Sequence, residues 1–160
     1  MAIPATNENF GYNATVMDHF QNPRNAGEIE NPSCVGVVRN SECGDLLKLY
    51  LKIEDGRIAD AKFKTYGCAA AIASSSMLTV LLIGRRIEDA AALTSQDVAD
   101  ALGGLPERKV HAALLAQEGI RAALAMRACR AGFARQNSVG RAPLQASNST
   151  HRIGFVSVYA

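Results

Sequence analysis

The sequence lacks any segment that predicts export or membrane insertion. The first ten residues contain neither a basic stretch nor an apolar run, so we expect no signal peptide. The longest apolar stretch, Ala69–Ile83, is interrupted by three serines and is too short to span a bilayer. We therefore expect a cytoplasmic protein that has no membrane as a partner.

A strong excess of one charge is also missing. The net charge of +2 gives no reason to expect a nucleic-acid partner. The charges are unevenly spread, however, because residues 127–160 carry five arginines and no acid, whereas the first 126 residues hold 12 basic and 15 acidic side chains. This shift predicts one folded domain over residues 1–126 and a basic, loosely ordered tail over residues 127–160. A basic arm that contacts a partner is the alternative for the tail.

Cysteine is scarce, and the four cysteines follow neither a paired CxxC spacing nor a zinc-finger pattern. Without an export signal we expect a reducing compartment and therefore no disulfide. Cys34 falls in the first predicted strand region and is interpreted as a packed thiol. The surroundings of Cys43 and Cys68 favour a chemical role instead.

Two stretches that alternate apolar with polar residues, 47–54 and 59–64, predict a β-hairpin. A two-residue turn between them would set leucines opposite charged residues, which is unfavourable for a sheet with one buried face. A three-residue loop over residues 54–56 places Leu51 opposite Ala59 and continues apolar pairs along the strands. We therefore predict the three-residue loop.

That register places Cys43 opposite Gly67 and so beside Cys68. Residues paired in this way have Cα atoms about 4.5–5.5 Å apart, so two cysteines meet at the open end of the hairpin. Asp45 lies two residues from Cys43 and points to the same side, while Gly44 and Gly67 leave backbone room. Two thiols and a carboxylate at one mouth predict a metal or sulfur site. Two small buried residues that cap a core are the alternative.

Helical patterns follow the hairpin. Ala69–Ile83 is apolar almost all round and predicts a buried helix that ends at Gly84. Cys68 precedes this helix, where the helix dipole favours a thiolate. A last helix begins after Pro106, and His111 falls in or near its first turn, where a surface or capping role is the alternative. Shorter helices are predicted around Val16–Phe20, Ile87–Leu93 and Val98–Leu102.

Four segments carry a resemblance to a known family. ECGD at Glu42–Asp45 and FKTYGCAAAIASSS at Phe63–Ser76 are similar to that family's first two ligand motifs. Met17–Glu28 resembles its N-terminal signature, and Ser95–His111 resembles the approach to its third motif. The chain thus resembles the NifU/IscU-type iron–sulfur cluster assembly scaffolds. The resemblance implies an α+β fold, with a three-stranded antiparallel sheet and helices packed on one face.

The resemblance also implies a role for each matching residue. Cys43 and Cys68 would ligate iron and a nascent [2Fe–2S] cluster. Asp45 would tune the lability of the cluster, and His111 would be a further candidate ligand. The protein would be a scaffold and not an enzyme, with a cysteine desulfurase as sulfur donor and acceptor apoproteins as recipients. Leu105–Lys109, LPERK, is similar to the family's chaperone-recognition segment, which implies an Hsp70-type chaperone as a partner.

One position departs from the family pattern. The cysteine that directly follows the histidine is Ala112 here, and alanine can neither ligate iron nor accept sulfur. The four remaining donors form a set of two sulfurs, one nitrogen and one oxygen, which suits zinc as well as iron. Cys129 would lie about 25 Å from Ala112 in a continuous helix, so only a folded-back tail would bring it closer. We expect Ala112 to be half-exposed near the hairpin mouth.

Three functions remain open on the sequence alone. The first is an assembly scaffold for iron–sulfur clusters. The second is a degenerate relative that binds zinc or iron and docks a cysteine desulfurase without building clusters. The third is a sulfur-transfer enzyme that carries a persulfide on Cys43 or Cys68. A hydrolytic cysteine enzyme is not expected, because no feature pairs a histidine with a thiol as its base.

Overall fold

An antiparallel sheet of three strands carries the fold in the computed structural model, which describes residues 11–126. The strands are β1 (Cys34–Arg39), β2 (Leu46–Glu54) and β3 (Arg57–Tyr66), in the spatial order β1-β2-β3. A 3₁₀ turn, Glu107–Lys109, precedes the last helix. The helices are α1 (Ala14–Gln21), α2 (Ala69–Leu82), α3 (Ile87–Ala91), α4 (Ser95–Ala101) and α5 (Val110–Ala125).

The helices pack on the sheet through its apolar face. Leu47, Leu49 and Leu51 of β2 are fully buried, as the alternating pattern predicts for one face of a strand. Helix α5 packs against β1 and β2, and helix α2 packs against β3. The predicted α+β fold, with a three-stranded antiparallel sheet and helices on one face, is confirmed.

The hairpin register differs from the predicted one. Glu54 pairs with Arg57, so the loop has the two residues Asp55 and Gly56, and both adopt positive φ values, of 50° and 71°. Such a turn matches the right-handed twist of the two strands. The pairing then shifts by one between Lys52 and Ile53. The prediction of a three-residue loop is therefore wrong.

A bulge restores the apolar pairing that the two-residue turn alone would lose. Ala59 is the additional residue of β3, because Lys52 pairs with Asp60 whereas the next pair towards the turn joins two isoleucines. Beyond the bulge, Leu51 pairs with Ala61 and not with Ala59. The register also moves the open end of the hairpin, so that Asp45 and not Cys43 lies against Gly67.

The helix ends follow local chemistry. Helix α4 begins with a capping box, in which the Thr94 hydroxyl and the Asp97 carboxylate each accept a hydrogen bond from the other residue's backbone. Helix α2 is buried along most of its length and is followed by Gly84, which has a φ of 86°. All five predicted helices are confirmed, with ends that differ by at most three residues.

Buried polar contacts hold the N-terminal segment against α2. The Ser76 hydroxyl lies 2.8 Å from Nδ1 of His19 and accepts a hydrogen bond from the backbone N–H of Arg24, also at 2.8 Å. His19 belongs to α1 and Arg24 to the loop that follows it. These contacts bring the beginning of the described chain, including Tyr12, alongside the helix that carries Cys68.

Two further sequence predictions concern Cys34 and the C-terminal tail. Cys34 is buried, as predicted, but it is disulfide-bonded, so the predictions of a thiol at this position and of no disulfide are wrong. Disulfide formation depends on how close two sulfur atoms come in the fold, which spacing along the chain does not fix. The predicted basic tail over residues 127–160 lies outside the described residues, and the boundary at residue 126 stays a prediction. Within residues 11–126, none of the helices is both long and apolar enough to cross a bilayer.

Candidate metal centre

A cavity of about 650 Å³ lies at the open end of the β2–β3 hairpin. A water molecule occupies about 30 Å³ of liquid volume, so this cavity has room for more than a single metal ion. Its wall comes from the hairpin mouth, the N-terminus of α2 and the start of α5. The lining residues include all four predicted ligands and several neighbours: Cys43, Gly44, Asp45, Thr65, Tyr66, Gly67, Cys68, Ile72, Lys109 and His111.

Three of the predicted ligands form a tight group. The Cys43 sulfur, a carboxylate oxygen of Asp45 and a ring nitrogen of His111 all lie within 4.8 Å of one another. Cys43 is exposed, His111 is half-buried and Asp45 is buried, so the group leads from solvent into the protein. One sulfur, one oxygen and one nitrogen at this spacing can converge on one metal ion after small side-chain movements.

A hydrogen-bonded turn between β1 and β2 presents Cys43 and Asp45. The backbone N–H of Gly44 donates to the carbonyl of Asn40 at 2.9 Å, and the N–H of Asn40 donates to the carbonyl of Asp45 at 2.8 Å. Gly44 has a φ of 76°, a left-handed conformation that glycine adopts at no steric cost. The turn therefore fixes both ligands before β2 begins.

Cys68 reaches the same cavity from helix α2. It occupies the N-cap position in an extended conformation, with φ of −73° and ψ of 170°, and its side chain makes no capping hydrogen bond. The N-terminus of a helix carries positive potential, which favours negative charge at this position. Cys68 lines the cavity but lies outside the group of three within 4.8 Å.

One oxygen atom of the Asp45 carboxylate accepts no hydrogen bond from the described residues. Asp45 is only 5% exposed, and its Oδ2 atom is buried without a hydrogen-bond partner among residues 11–126. An unsatisfied buried polar atom costs about 1–3 kcal/mol, and more when the group is charged. A cation bound beside Cys43 and His111 would relieve this cost. The donor set and the orphaned oxygen therefore fit a metal ion.

The Cys43 thiol holds its proton more tightly than an ordinary cysteine. Partial desolvation of the sulfur contributes most to the raised pKa, even though the residue as a whole is exposed. The side chain of Asp45 and the Cys68 sulfur raise the pKa further, while a backbone hydrogen bond at Asp45 lowers it. A metal ion that binds Cys43 must displace this proton.

We therefore expect metal affinity at this centre to increase with pH. A raised thiol pKa means that the protonated form predominates at neutral pH. The apparent affinity should therefore rise by about tenfold for each unit of increasing pH and each displaced proton. Titration with Zn²⁺ against a competing chelator, between about pH 6 and pH 8, measures this slope. Cys43→Ser should show a smaller slope, and an affinity that did not change with pH would contradict the prediction.

Two residues near the centre were missed by sequence reasoning as site residues. Tyr12 is buried, and burial contributes most to its raised pKa; Cys68 raises that pKa further and Lys109 lowers it. Tyr12 is therefore close enough to Cys68 and Lys109 for both charges to affect its pKa. Lys109 lines the cavity itself and adds a positive charge beside the anionic donors. Periodicity offers no signal for Tyr12, because only the packing of α1 on α2 brings it here.

Ala112 occupies a different environment from the predicted one. It is 1% exposed, and it does not line the cavity that holds His111. Consecutive residues of an α-helix point about 100° apart, so when His111 faces the cavity, the next residue turns towards the core. The prediction of a half-exposed position at the mouth is therefore wrong.

The fold agrees with a match to a known family. Residues 11–132 match the NifU-like N-terminal domain family. The match spans more than half of the chain, and the chain belongs to this family. The predicted resemblance to NifU/IscU-type scaffolds is confirmed.

Particular relatives are similar over most of their length. The iron–sulfur cluster assembly scaffold protein IscU 1 of Archaeoglobus fulgidus is 53% identical over 113 residues, which cover 71% of this chain and 74% of the relative. The scaffold protein IscU of Escherichia coli K12 is 44% identical over 118 residues, which cover 71% and 91%. A crystal structure from Fervidobacterium islandicum, of a protein proposed to be an iron–sulfur cluster assembly scaffold for the SUF system, matches with a TM-score of 0.59. That match has 26% identity and covers 71% of this chain and 96% of the other.

Proposed function

We propose that this protein binds iron and a nascent [2Fe–2S] cluster in the cavity and transfers the cluster to acceptor proteins. The observation that carries this proposal is the buried, unpartnered Oδ2 of Asp45, a residue that lines one cavity together with two free thiols and a histidine. Relatives that are named iron–sulfur cluster assembly scaffolds support it. The cluster is cargo in this proposal and not a resident cofactor.

The donors in the cavity suit this cargo. Thiolates of Cys43 and Cys68 are the usual ligands of iron–sulfur clusters. Histidine replaces cysteine on iron in Rieske centres, so His111 can serve as a nitrogen ligand where the family's third cysteine is absent. Asp45 supplies a hard oxygen donor, which binds weakly to iron whose other ligands are soft sulfur atoms. A cluster held by two thiolates and two weaker donors is suited to release.

The family resemblance suggests the proposed partners. Sulfur would come from a cysteine desulfurase, to which Cys43 presents an exposed thiol as acceptor. Leu105–Lys109 would be the segment that an Hsp70-type chaperone binds. This segment adjoins the cavity because Lys109 lines it. Chaperone binding there would therefore disturb the centre and favour release to an acceptor apoprotein.

A transfer experiment tests the proposed function. After reconstitution with iron and sulfide, the protein should convert an apo-ferredoxin to its [2Fe–2S] form, as followed by visible circular dichroism. The iron and sulfide left in solution after buffer exchange serve as the control for free reagents. Conversion no faster than that control would contradict the proposal.

One observation favours a second candidate function. Cys43, Asp45 and His111 lie within 4.8 Å of one another, and such a sulfur, oxygen and nitrogen set with an open fourth position suits Zn²⁺. The protein would then hold zinc or iron and dock a cysteine desulfurase without building clusters, in keeping with alanine at position 112. Acid-labile sulfide distinguishes the two functions, because only the scaffold retains sulfide together with iron.

We expect Asp45→Ala to lengthen the lifetime of a bound cluster and to slow its transfer. The Asp45 carboxylate is a harder donor than the thiolates and therefore binds the iron less tightly. When solvent or a thiolate of the acceptor replaces the carboxylate, the cluster can pass to the acceptor. The expected change is about tenfold in the half-life of the charge-transfer absorbance during transfer to an apo-ferredoxin. Faster loss of the cluster from Asp45→Ala would contradict this role.

A further inference from the structure

We propose that Gly67 is a positioning residue, which holds the Asp45 carboxylate at the metal centre by leaving it room against the backbone. A Cβ atom at Gly67 would lie 2.7 Å from Oδ1 of Asp45 and 2.8 Å from its Cγ. These separations are far below the contact distance of two non-bonded heavy atoms. The carboxylate therefore packs directly on the Gly67 backbone, in space that any side chain would fill. The inference rests on the proposed function only in taking Asp45 as a ligand.

The backbone of Asp45 is fixed from both sides. Its carbonyl accepts the hydrogen bond from the N–H of Asn40 at 2.8 Å. The next residue, Leu46, accepts a hydrogen bond from the Thr65 hydroxyl at 2.7 Å, which ties the start of β2 to the end of β3. Asp45 consequently cannot withdraw as a whole from a larger residue at position 67. Only its side chain can move.

The requirement for glycine at this position comes from the contact and not from the backbone conformation. Gly67 is not among the glycines with positive φ, so alanine would fit its backbone without strain. Gly44 is the opposite case, since it has a φ of 76° and no atom within 4 Å of an added Cβ. The Cβ of Ala71 in α2 would also lie 3.0 Å from the added atom. The added atom is therefore crowded by α2 as well as by Asp45.

Gly67→Ala should consequently turn the Asp45 carboxylate away from Cys43 and His111. The atoms that must move belong to the end of one short side chain, so the protein should still fold. The centre should then lose the contribution of the carboxylate, which is a weaker donor in a soft metal site than a thiolate. Supporting residues around metal ligands typically contribute tenfold to a hundredfold in affinity.

A double-mutant cycle with Co²⁺ tests the inference. Co²⁺ reports thiolate coordination through its charge-transfer and d–d absorbance and needs no cluster assembly. Gly67→Ala should weaken Co²⁺ binding about tenfold in the otherwise native chain. In an Asp45→Ala background it should have no further effect, because the carboxylate that it displaces is already absent. Gly84→Ala, which strains a φ of 86° beyond the other end of α2, is the control and should leave Co²⁺ affinity unchanged.

Urea unfolding of the metal-free proteins provides a second measurement. Gly67→Ala should lower the unfolding midpoint in the native chain and lower it less in the Asp45→Ala background, where the clash is gone. Native Co²⁺ affinity in Gly67→Ala, or equal losses in both backgrounds, would overturn the inference. If the native chain bound no Co²⁺ in this cavity, both the ligand role of Asp45 and the proposed function would fail, whereas failure of the cycle alone leaves the proposed function standing.

Discussion

Cys43→Ser and Cys68→Ser should each remove nearly all iron and sulfide from the reconstituted protein. A serine hydroxyl keeps its proton at neutral pH and is a poor ligand for soft metal sites. The affinity for a single Zn²⁺ ion should fall by more than about 100-fold, since each change removes a direct ligand and exceeds the effect of a supporting residue. Both variants should fold, because Cys43 is exposed and Cys68 lies at a helix N-terminus.

Iron and sulfide contents after anaerobic reconstitution and gel filtration measure this effect. Ile72→Val is the matched control, because Ile72 lines the same cavity without offering a ligand atom. Cys34→Ser is unsuitable as a control, since Cys34 is disulfide-bonded in the core and its loss would test stability as well. If either cysteine variant retained native amounts of iron and sulfide, the proposed ligand set would be wrong.

Ala112→Cys should increase the iron and sulfide that the protein retains. The change supplies the thiol that the family pattern places directly after His111. Ala112 faces the core next to His111, so the sulfur, one heavy atom beyond Cβ, would approach the cavity only in the χ1 rotamer that points towards His111. Because Ala112 is 1% exposed, the larger side chain should cost about 1 kcal/mol of stability, and the cluster should resist chelators severalfold longer.

Cys129 provides the competing explanation for a complete centre. It lies outside the described residues, and it would have to reach the cavity as a free thiol, although Cys34 is disulfide-bonded and only Cys43 and Cys68 of the described cysteines are free. In that case Ala112→Cys would add nothing, and Cys129→Ser would empty the centre. Iron and sulfide contents of the native chain, Ala112→Cys and Cys129→Ser decide between the two explanations. No gain in the first variant together with complete loss in the second would contradict our interpretation.

Much of the fold could be predicted because the patterns are local. The alternation along β2 and the apolar run of α2 each define an element without knowledge of its neighbours. The hairpin register could not be predicted in the same way. Asp55 adopts a left-handed conformation in the turn, and Ala59 adds a bulge three residues after Gly56, so two deviations compensate each other. Counting apolar pairs from one regular turn does not reveal such a combination.

The candidate centre could also be predicted only in part. Motif resemblance named Cys43, Asp45, Cys68 and His111, and the structure brings all four to one cavity. The burial of Ala112 depends on the angular position at which α5 begins, which the sequence leaves open by a residue or two. Tyr12 reaches the centre only through the packing of α1 on α2, a contact between segments more than 50 residues apart. Contacts of this kind have no local signature.

Anaerobic reconstitution of the native chain with iron and sulfide tests the central claim most directly. The protein should retain about two irons and two sulfides per chain after gel filtration, with the charge-transfer absorbance of a [2Fe–2S] cluster. Zinc analysis of the protein as purified shows whether zinc already occupies the centre. The same reconstitution of Cys43→Ser shows whether the retained iron and sulfide depend on this cavity. Metal bound tightly without acid-labile sulfide would contradict a scaffold function and favour the zinc-binding or iron-binding alternative.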